Sequence, residues 1–248
     1  MSEPTGGALL VDDRADRMVV TLNRPAARNA IDQAMIGELH AVCDRLEAGP
    51  RPLIIIGSGG VFAGGADIAQ LRDRRRGEAL LGINSRLFDR IAKLPQPTVA
   101  AVAGPALGGG AELAYACDIR LAAPTARFGN PEPGLGILAA AGASWRLSEL
   151  VGRSVAKQVL LGGSTLDAER ALRVGLVADI VQEADLLGAA HALVDRMLRA
   201  VPLALRLTKL VLDAPGPHPV ADDLAQAILF ETEEKHERMT QFLERSRK

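Results

Sequence analysis

Two short apolar runs in this chain break straight into glycine-rich sequence, and that pattern narrows the folds open to it. Leu53-Ile54-Ile55-Ile56 leads into residues 57–65, five of which are glycine. Thr98-Val99-Ala100-Ala101-Val102 leads into a second turn that holds Gly104 and the consecutive Gly108, Gly109 and Gly110. An unbroken run of this kind reads as a strand buried on both faces, as in a parallel sheet. Met18-Val19-Val20-Thr21-Leu22 is a third, stopped at Asn23-Arg24-Pro25 because proline cannot continue a hydrogen-bonded ladder. Elsewhere apolar residues recur at spacings of three and four. Ile31, Met35, Leu39, Val42 and Leu46 predict one helix, closed by Gly49-Pro50. Leu80, Ile83, Leu87 and Ile91 predict another, stopped at Leu94-Pro95-Gln96-Pro97. Strands alternating with helices place the chain in the α/β class.

From about residue 186 the character changes. Residues 186–200, 203–213 and 220–243 carry helical periodicity only, with Pro202 and Pro215-Gly216-Pro217 as breaks. The expected organisation is an α/β core over residues 1–185 and a helical region over 186–248. Leu224, Ile228, Phe230, Met239, Phe242 and Leu243 face either a partner or the rest of the chain.

Hydrophobic residues make up 48% of the chain, enough to fill a core, which excludes disorder for most of it. A net charge of -1 argues against a general nucleic-acid binder. No apolar run approaches the ~18 residues that a bilayer span needs. Met1-Ser2-Glu3-Pro4 has no basic stretch ahead of an apolar one, so no signal peptide is expected. Cys43 and Cys117 have no C-x-x-C spacing, and the expectation is a reducing, cytoplasmic setting. Arg72-Asp73-Arg74-Arg75-Arg76 reads as a solvated helix face or turn.

Several kinds of chemistry are excluded by what is missing. There is no Walker-type phosphate loop and no G-x-S-x-G. Gly57-Ser58-Gly59-Gly60-Val61-Phe62 opens like a dinucleotide fingerprint but has Phe62 at its third glycine position. His40, His191, His218 and His236 are scattered outside any metal-ligand spacing, so no metal is expected. What remains is Gly108-Gly109-Gly110-Ala111-Glu112. Glycines ahead of a helix expose backbone N–H groups that suit a phosphate or a developing oxyanion; a tight strand-to-helix turn gives the same sequence. Glu112, among apolar neighbours, is either a helix-dipole partner or an acid of raised pKa. Glu132, between Pro131 and Pro133, is a turn carboxylate or a second acid. Asp67, in Phe62-Ala63-Gly64-Gly65-Ala66-Asp67-Ile68, follows glycines at another helix start.

Taken in order, these blocks resemble the crotonase superfamily, the enoyl-CoA hydratase/isomerase family. The likeness runs from Leu22-Asn23-Arg24-Pro25 and Arg28-Asn29-Ala30 through the blocks at 62–68, 106–110 and 116–120. It continues to Leu150-Val151-Gly152-Arg153, Ala168-Glu169-Arg170-Ala171 and Gly175-Leu176-Val177. The resemblance implies a spiral of ββα units, a helical C-terminal oligomerisation region, and a homotrimer or dimer of trimers. It implies an acyl-CoA thioester substrate, with coenzyme A part of that substrate and no separate cofactor, and a place in fatty-acid metabolism such as β-oxidation. Carried over, the backbone N–H groups of Ala66 and Gly109 form an oxyanion hole, and Glu112 and Glu132 are the paired catalytic acids of a hydratase. Arg28, Ala63, Gly64, Asp67, Ile68, Asn130 and Trp145 are the expected substrate-binding residues; Arg28 either reaches a CoA phosphate or is a solvated surface arginine. Asn130 stands where hydratases often have glutamine. Ala139-Ala140-Ala141-Gly142-Ala143-Ser144-Trp145-Arg146 replaces a glycine-richer stretch, adding methyl groups beside the expected water and acyl region. Trp145 either walls the acyl pocket or packs in a core or interface. A Δ3,Δ2-enoyl-CoA isomerase and an acyl-CoA-binding homologue with little turnover are the competing readings.

Overall fold

In the computed structural model residues 7–214 and 219–245 are described, Phe242 and Arg245 by backbone only. Met1-Ser2-Glu3-Pro4, the Pro215-Gly216-Pro217 break, His218 and the Phe242 side chain lie outside what is described. The chain divides after Val194 into two compact units.

The first unit begins with an antiparallel pair, β1 (Leu9–Asp13) and β2 (Met18–Leu22). The run at 18–22 is a strand as expected, whereas β1, exposed after its first residue, carries no buried pattern for sequence to show. Asp32 then caps α1 (Gln33–Ala48) by accepting the Met35 N–H at 2.8 Å. Strand β3 (Leu53–Gly57) joins β2 in parallel, with Met18 beside Leu53. Next come α2 (Ile68–Arg72), α3 (Arg76–Leu80) and α4 (Ile83–Ala92). The helix expected from Leu80 to Ile91 thus starts at Ile83, and Leu80 belongs to α3 with its side chain mostly exposed. The left-handed Gly82 separates the two helices. Buried faces of α1 and α4, including Leu39, Val42, Leu87 and Phe88, join the strand side chains in one core.

From here the chain repeats a pattern. Strand β4 (Thr98–Val102) extends the large sheet, and β5 (Pro105–Leu107) starts a second one before α5 (Gly109–Ala116). Likewise β6 (Ile119–Ala122) joins the large sheet and β7 (Arg127–Gly129) the small one, before a 3-10 turn at Glu132–Leu135. A π-helical turn, Ala143–Leu147, leads into α6 (Ser148–Leu160). β8 (Leu166–Asp167), α7 (Ala168–Arg173) and β9 (Asp179–Ile180) complete the sheets. The large sheet runs β1-β2-β3-β4-β6-β9, parallel except for β1, and the small one β5-β7-β8.

The unit boundary falls inside α8 (Leu186–Met197). The second unit continues with α9 (Pro202–Asp213), α10 (Val220–Phe230) and α11 (Glu233–Arg245). The single helix expected over 220–243 is therefore two. Thr232 breaks it: its hydroxyl donates to the Leu229 carbonyl and accepts the Lys235 N–H, capping a new helix. No helix among the described residues is long and apolar enough to cross a membrane.

Candidate active site

The small sheet sets the site. Ala63 forms an isolated parallel bridge with Ala106 of β5, and Ala106 lies opposite Phe128 of β7. Three successive passes of the chain therefore cross side by side, and three residues past each crossing stand Ala66, Gly109 and Pro131. Glu132 follows Pro131. Equal offsets from one register bring residues far apart in sequence to the same edge.

Close packing explains the glycines there. Gly108 has φ 50°, and a β-carbon on it would come within 3.0 Å of Glu132 Oε1. One on Gly110 would meet the Ala63 carbonyl oxygen at 2.2 Å, so α5 starts pressed against the Ala63 backbone. One on Gly109 would stand 3.4 Å from the Ala66 nitrogen. The bridge at Ala66 uses its neighbours: Gly65 accepts from Ile31 at 2.8 Å, and Asp67 donates to Ile31 at 3.0 Å. Among the described residues the Ala66 N–H has no acceptor. The Gly109 N–H opens α5, where a helix supplies no partner for its first donors. Two unpaired donors and a helix N-terminus thus lie close together, an arrangement that favours negative charge.

A cavity of about 520 Å³ opens on Ala66, Gly109, Glu112 and Glu132 together. Glu112 is the only charged residue of α5, a helix buried along its whole length. Its Oε1 accepts the Ala141 N–H at 2.8 Å and the Ala143 N–H at 3.1 Å. Burial pushes the Glu112 pKa up to about 7; the two N–H donors and Arg146 oppose the rise, and the Glu132 charge adds to it. Glu132 is also raised by burial, held back by its own backbone N–H and the Asn130 side chain. Its Oε2 is buried without a hydrogen-bond partner, which favours the protonated form. Two such acids titrate as a pair. Among the described residues no three His, Cys, Asp or Glu side chains gather as a metal site would require.

The other expected residues are placed differently. Asn130 is buried behind Glu132, its Oδ1 accepting from the Tyr115 hydroxyl at 3.2 Å. Ala63 is fully buried, and Gly64 donates to the Arg28 carbonyl at 2.8 Å, so both shape the loop through backbone. Asp67 caps α2 and pairs with Arg24 at 3.5 Å, the ordinary helix-start role. Arg28 has an exposed side chain and a left-handed backbone with φ 53°. Ile68 and Trp145 are partly exposed, the Trp145 ring lying 5.1 Å from the Arg146 guanidinium carbon. None of these seven is on the cavity wall. Of the replaced glycines, Ala140 lines the cavity, whereas the Ala143 methyl is buried off it.

The charge run at 72–76 is the solvated turn that was expected, with Arg75 and Arg76 exposed. What sequence reasoning missed is that Arg74, Arg75 and Arg76 also border this cavity. The only signal was arithmetic: one aspartate among four arginines at 72–76 leaves most of that charge unanswered.

The Enoyl-CoA hydratase/isomerase family model matches residues 14–248. The chain is 35% identical to the short-chain-enoyl-CoA hydratase of Clostridium acetobutylicum, over 92% of this chain and 91% of that one. It is 36% identical to the 2,3-dehydroadipyl-CoA hydratase of Escherichia coli, over 96% of each. A crystal structure of enoyl-CoA hydratase from Bacillus anthracis superposes with a TM-score of 0.90 at 28% identity, covering 96% of both chains. The chain belongs to the enoyl-CoA hydratase/isomerase family.

Proposed function

We propose that this chain is an enoyl-CoA hydratase, adding water across the 2,3 double bond of a 2-trans-enoyl-CoA to give a 3-hydroxyacyl-CoA. The observation that carries this reading is two buried glutamates on one cavity wall beside two unpaired backbone donors. The thioester oxygen accepts from Ala66 and Gly109, which draws electron density from C3. Glu112, steadied as an anion by the Ala141 and Ala143 N–H groups, takes a proton from the water attacking C3. Glu132, favoured as the acid by its unpartnered Oε2, delivers a proton to C2. One backbone donor of this type contributes ~2.7–4 kcal/mol to the transition state, so the pair supports the enolate. An isomerase would leave Glu112 without a task, although two N–H groups hold it in place.

Coenzyme A enters as part of the substrate, and the mechanism calls on no separate cofactor. The same reading takes the protein as a cytoplasmic homo-oligomer, a trimer or pair of trimers, acting in acyl-CoA metabolism of the β-oxidation kind. Absorbance loss at the enoyl-thioester band, followed with crotonyl-CoA and longer 2-enoyl-CoAs, is the test. Appearance of 3-hydroxyacyl-CoA, abolished in Glu112→Ala, is the expected result. Tight thioester binding with no loss of the band at any chain length would refute hydration.

A further inference from the structure

Tyr115 stands three residues after Glu112 on α5, so the two side chains share a helix face. Its ring is buried, and its hydroxyl donates to Asn130 Oδ1 at 3.2 Å. Asn130 is buried too, two residues before Glu132. The Gly129 carbonyl next to it accepts the Gly108 N–H at 2.8 Å, which ties this stretch to the glycine turn that opens α5. Two polar atoms are left over here. Asn130 Nδ2 and Glu132 Oε2 are each buried without a hydrogen-bond partner. A donor of that kind costs stability until it is used, and it matches Oε2 only when Glu132 is a carboxylate. The Asn130 side chain opposes the rise of the Glu132 pKa, as a donor favouring the charged form does.

An amide turned half-way round about its last bond would instead present Oδ1 to Glu132 and repel the carboxylate. The Tyr115 hydroxyl decides between the two orientations, because its proton needs an acceptor and Asn130 Oδ1 is the one it meets. It keeps that proton: burial, then the Glu112 and Glu132 charges, push its pKa above the ordinary tyrosine range, and Arg120 opposes them.

We infer that Tyr115 is a positioning residue for the proton-delivering acid: its hydroxyl locks the Asn130 amide so that Nδ2 stands ready for the Glu132 carboxylate. The inference rests on the hydratase reading for the reaction and on the Tyr115–Asn130 pair for the positioning. As the enolate's electron pair forms the C2–H bond, the Glu132 O–H bond breaks and its electrons stay on the carboxylate. Nδ2 then gains the acceptor it lacks. The charged groups around the pair are Glu112, on which Arg146 acts, Glu132, and Arg120 acting on Tyr115. Tyr115→Phe changes none of them and keeps the ring.

NMR of carboxyl-¹³C-labelled glutamate over a range of pH tests this without turnover. The Glu112→Gln background removes the coupled partner, and Glu132→Gln assigns the signal. In that background Tyr115→Phe should move the Glu132 titration up by about one pH unit. Asn130→Leu should move it as far, and Tyr115→Phe added to Asn130→Leu should do nothing more. Asn130→Ala takes its place if Asn130→Leu does not fold. With Glu112 present, Tyr115→Phe should lower kcat for crotonyl-CoA about tenfold, leave KM within about twofold, and shift the basic limb of the kcat profile upward. A lower melting temperature with an unmoved titration would make Tyr115 a core residue only and overturn the inference. A downward shift, or an undiminished Tyr115→Phe effect beside Asn130→Leu, overturns it as well. The titration shift without hydration by the wild type would refute only the hydratase reading, and hydration without the shift would refute only this inference.

Discussion

Glu112 costs the fold stability at the pH where the reaction needs it. Its carboxyl ionises near 7 in the folded protein against an ordinary value of about 4.3. Between those values the folded state holds a proton that the unfolded chain has released, so stability falls as pH rises. Above pH 7 the full cost is present, on the order of 3 kcal/mol, and below pH 4 it is absent. Glu112→Gln keeps an oxygen for the Ala141 and Ala143 donors and removes the charge. It should therefore melt several degrees higher than wild type at pH 8.5 and at about the same temperature at pH 4. An equal offset at both pH values would show that burial of charge is not the cause. The same substitution should lower kcat by ~10²–10⁴-fold, and the acid limb of the wild-type kcat/KM profile should lie near pH 7. At Ala66 the proposed contact is a backbone N–H, so an amide-to-ester replacement removes the donor and little else. Its expected effect is a drop in kcat of about 10²–10³-fold with the fold intact, read by steady-state kinetics and circular dichroism.

At the scale of elements, the register of the small sheet makes the site, and it was the part least readable in advance. Residues 18–22, 53–56 and 98–102 showed themselves as strands because unbroken apolar runs are buried on both faces. β5, β7 and β8 are two or three residues long, too short for any period, and β1 is exposed along most of its length. The glycine block and both glutamates stood out by chemistry and by family likeness, but their meeting depends on Ala63, Ala106 and Phe128 lying abreast. The solvated turn at 72–76 was legible, but that its arginines border the cavity was not, because a charge run does not say what it adjoins. Two glycine substitutions test the packing argument. Gly110→Ala would force a β-carbon onto the Ala63 carbonyl and should destabilise by ~1–3 kcal/mol while displacing the Gly109 N–H. Gly188→Ala, on α8 with no atom within 4 Å of the new carbon, should instead stabilise by ~0.5–1 kcal/mol. Denaturant midpoints moving the same way in both variants would contradict the contrast.

At the scale of the whole molecule, the second unit leaves several large apolar side chains exposed. Leu210, Leu212, Leu224, Ile228 and Phe230 are each more than half exposed, and neither α9 nor α10 has a buried residue. If these side chains form one patch, self-association is the expected consequence. Light scattering at micromolar concentration should give a multiple of the chain mass, and Leu212→Glu with Leu224→Glu should lower it. A wild-type monomer would sink this expectation.

The two sides of the cavity are anchored unequally, and that difference has a kinetic reading. The side bearing Ala66 and Gly109 is tied to sheet ladders and to a helix buried throughout. The facing side is built from α2 and α3, five residues each and without a buried side chain. Amides of α5 should trade hydrogen for deuterium only when the unit opens as a whole, whereas those of residues 68–80 should do so through small, frequent openings. A ligand spanning both sides would slow the second class alone, so the time course of exchange would map where its far end rests.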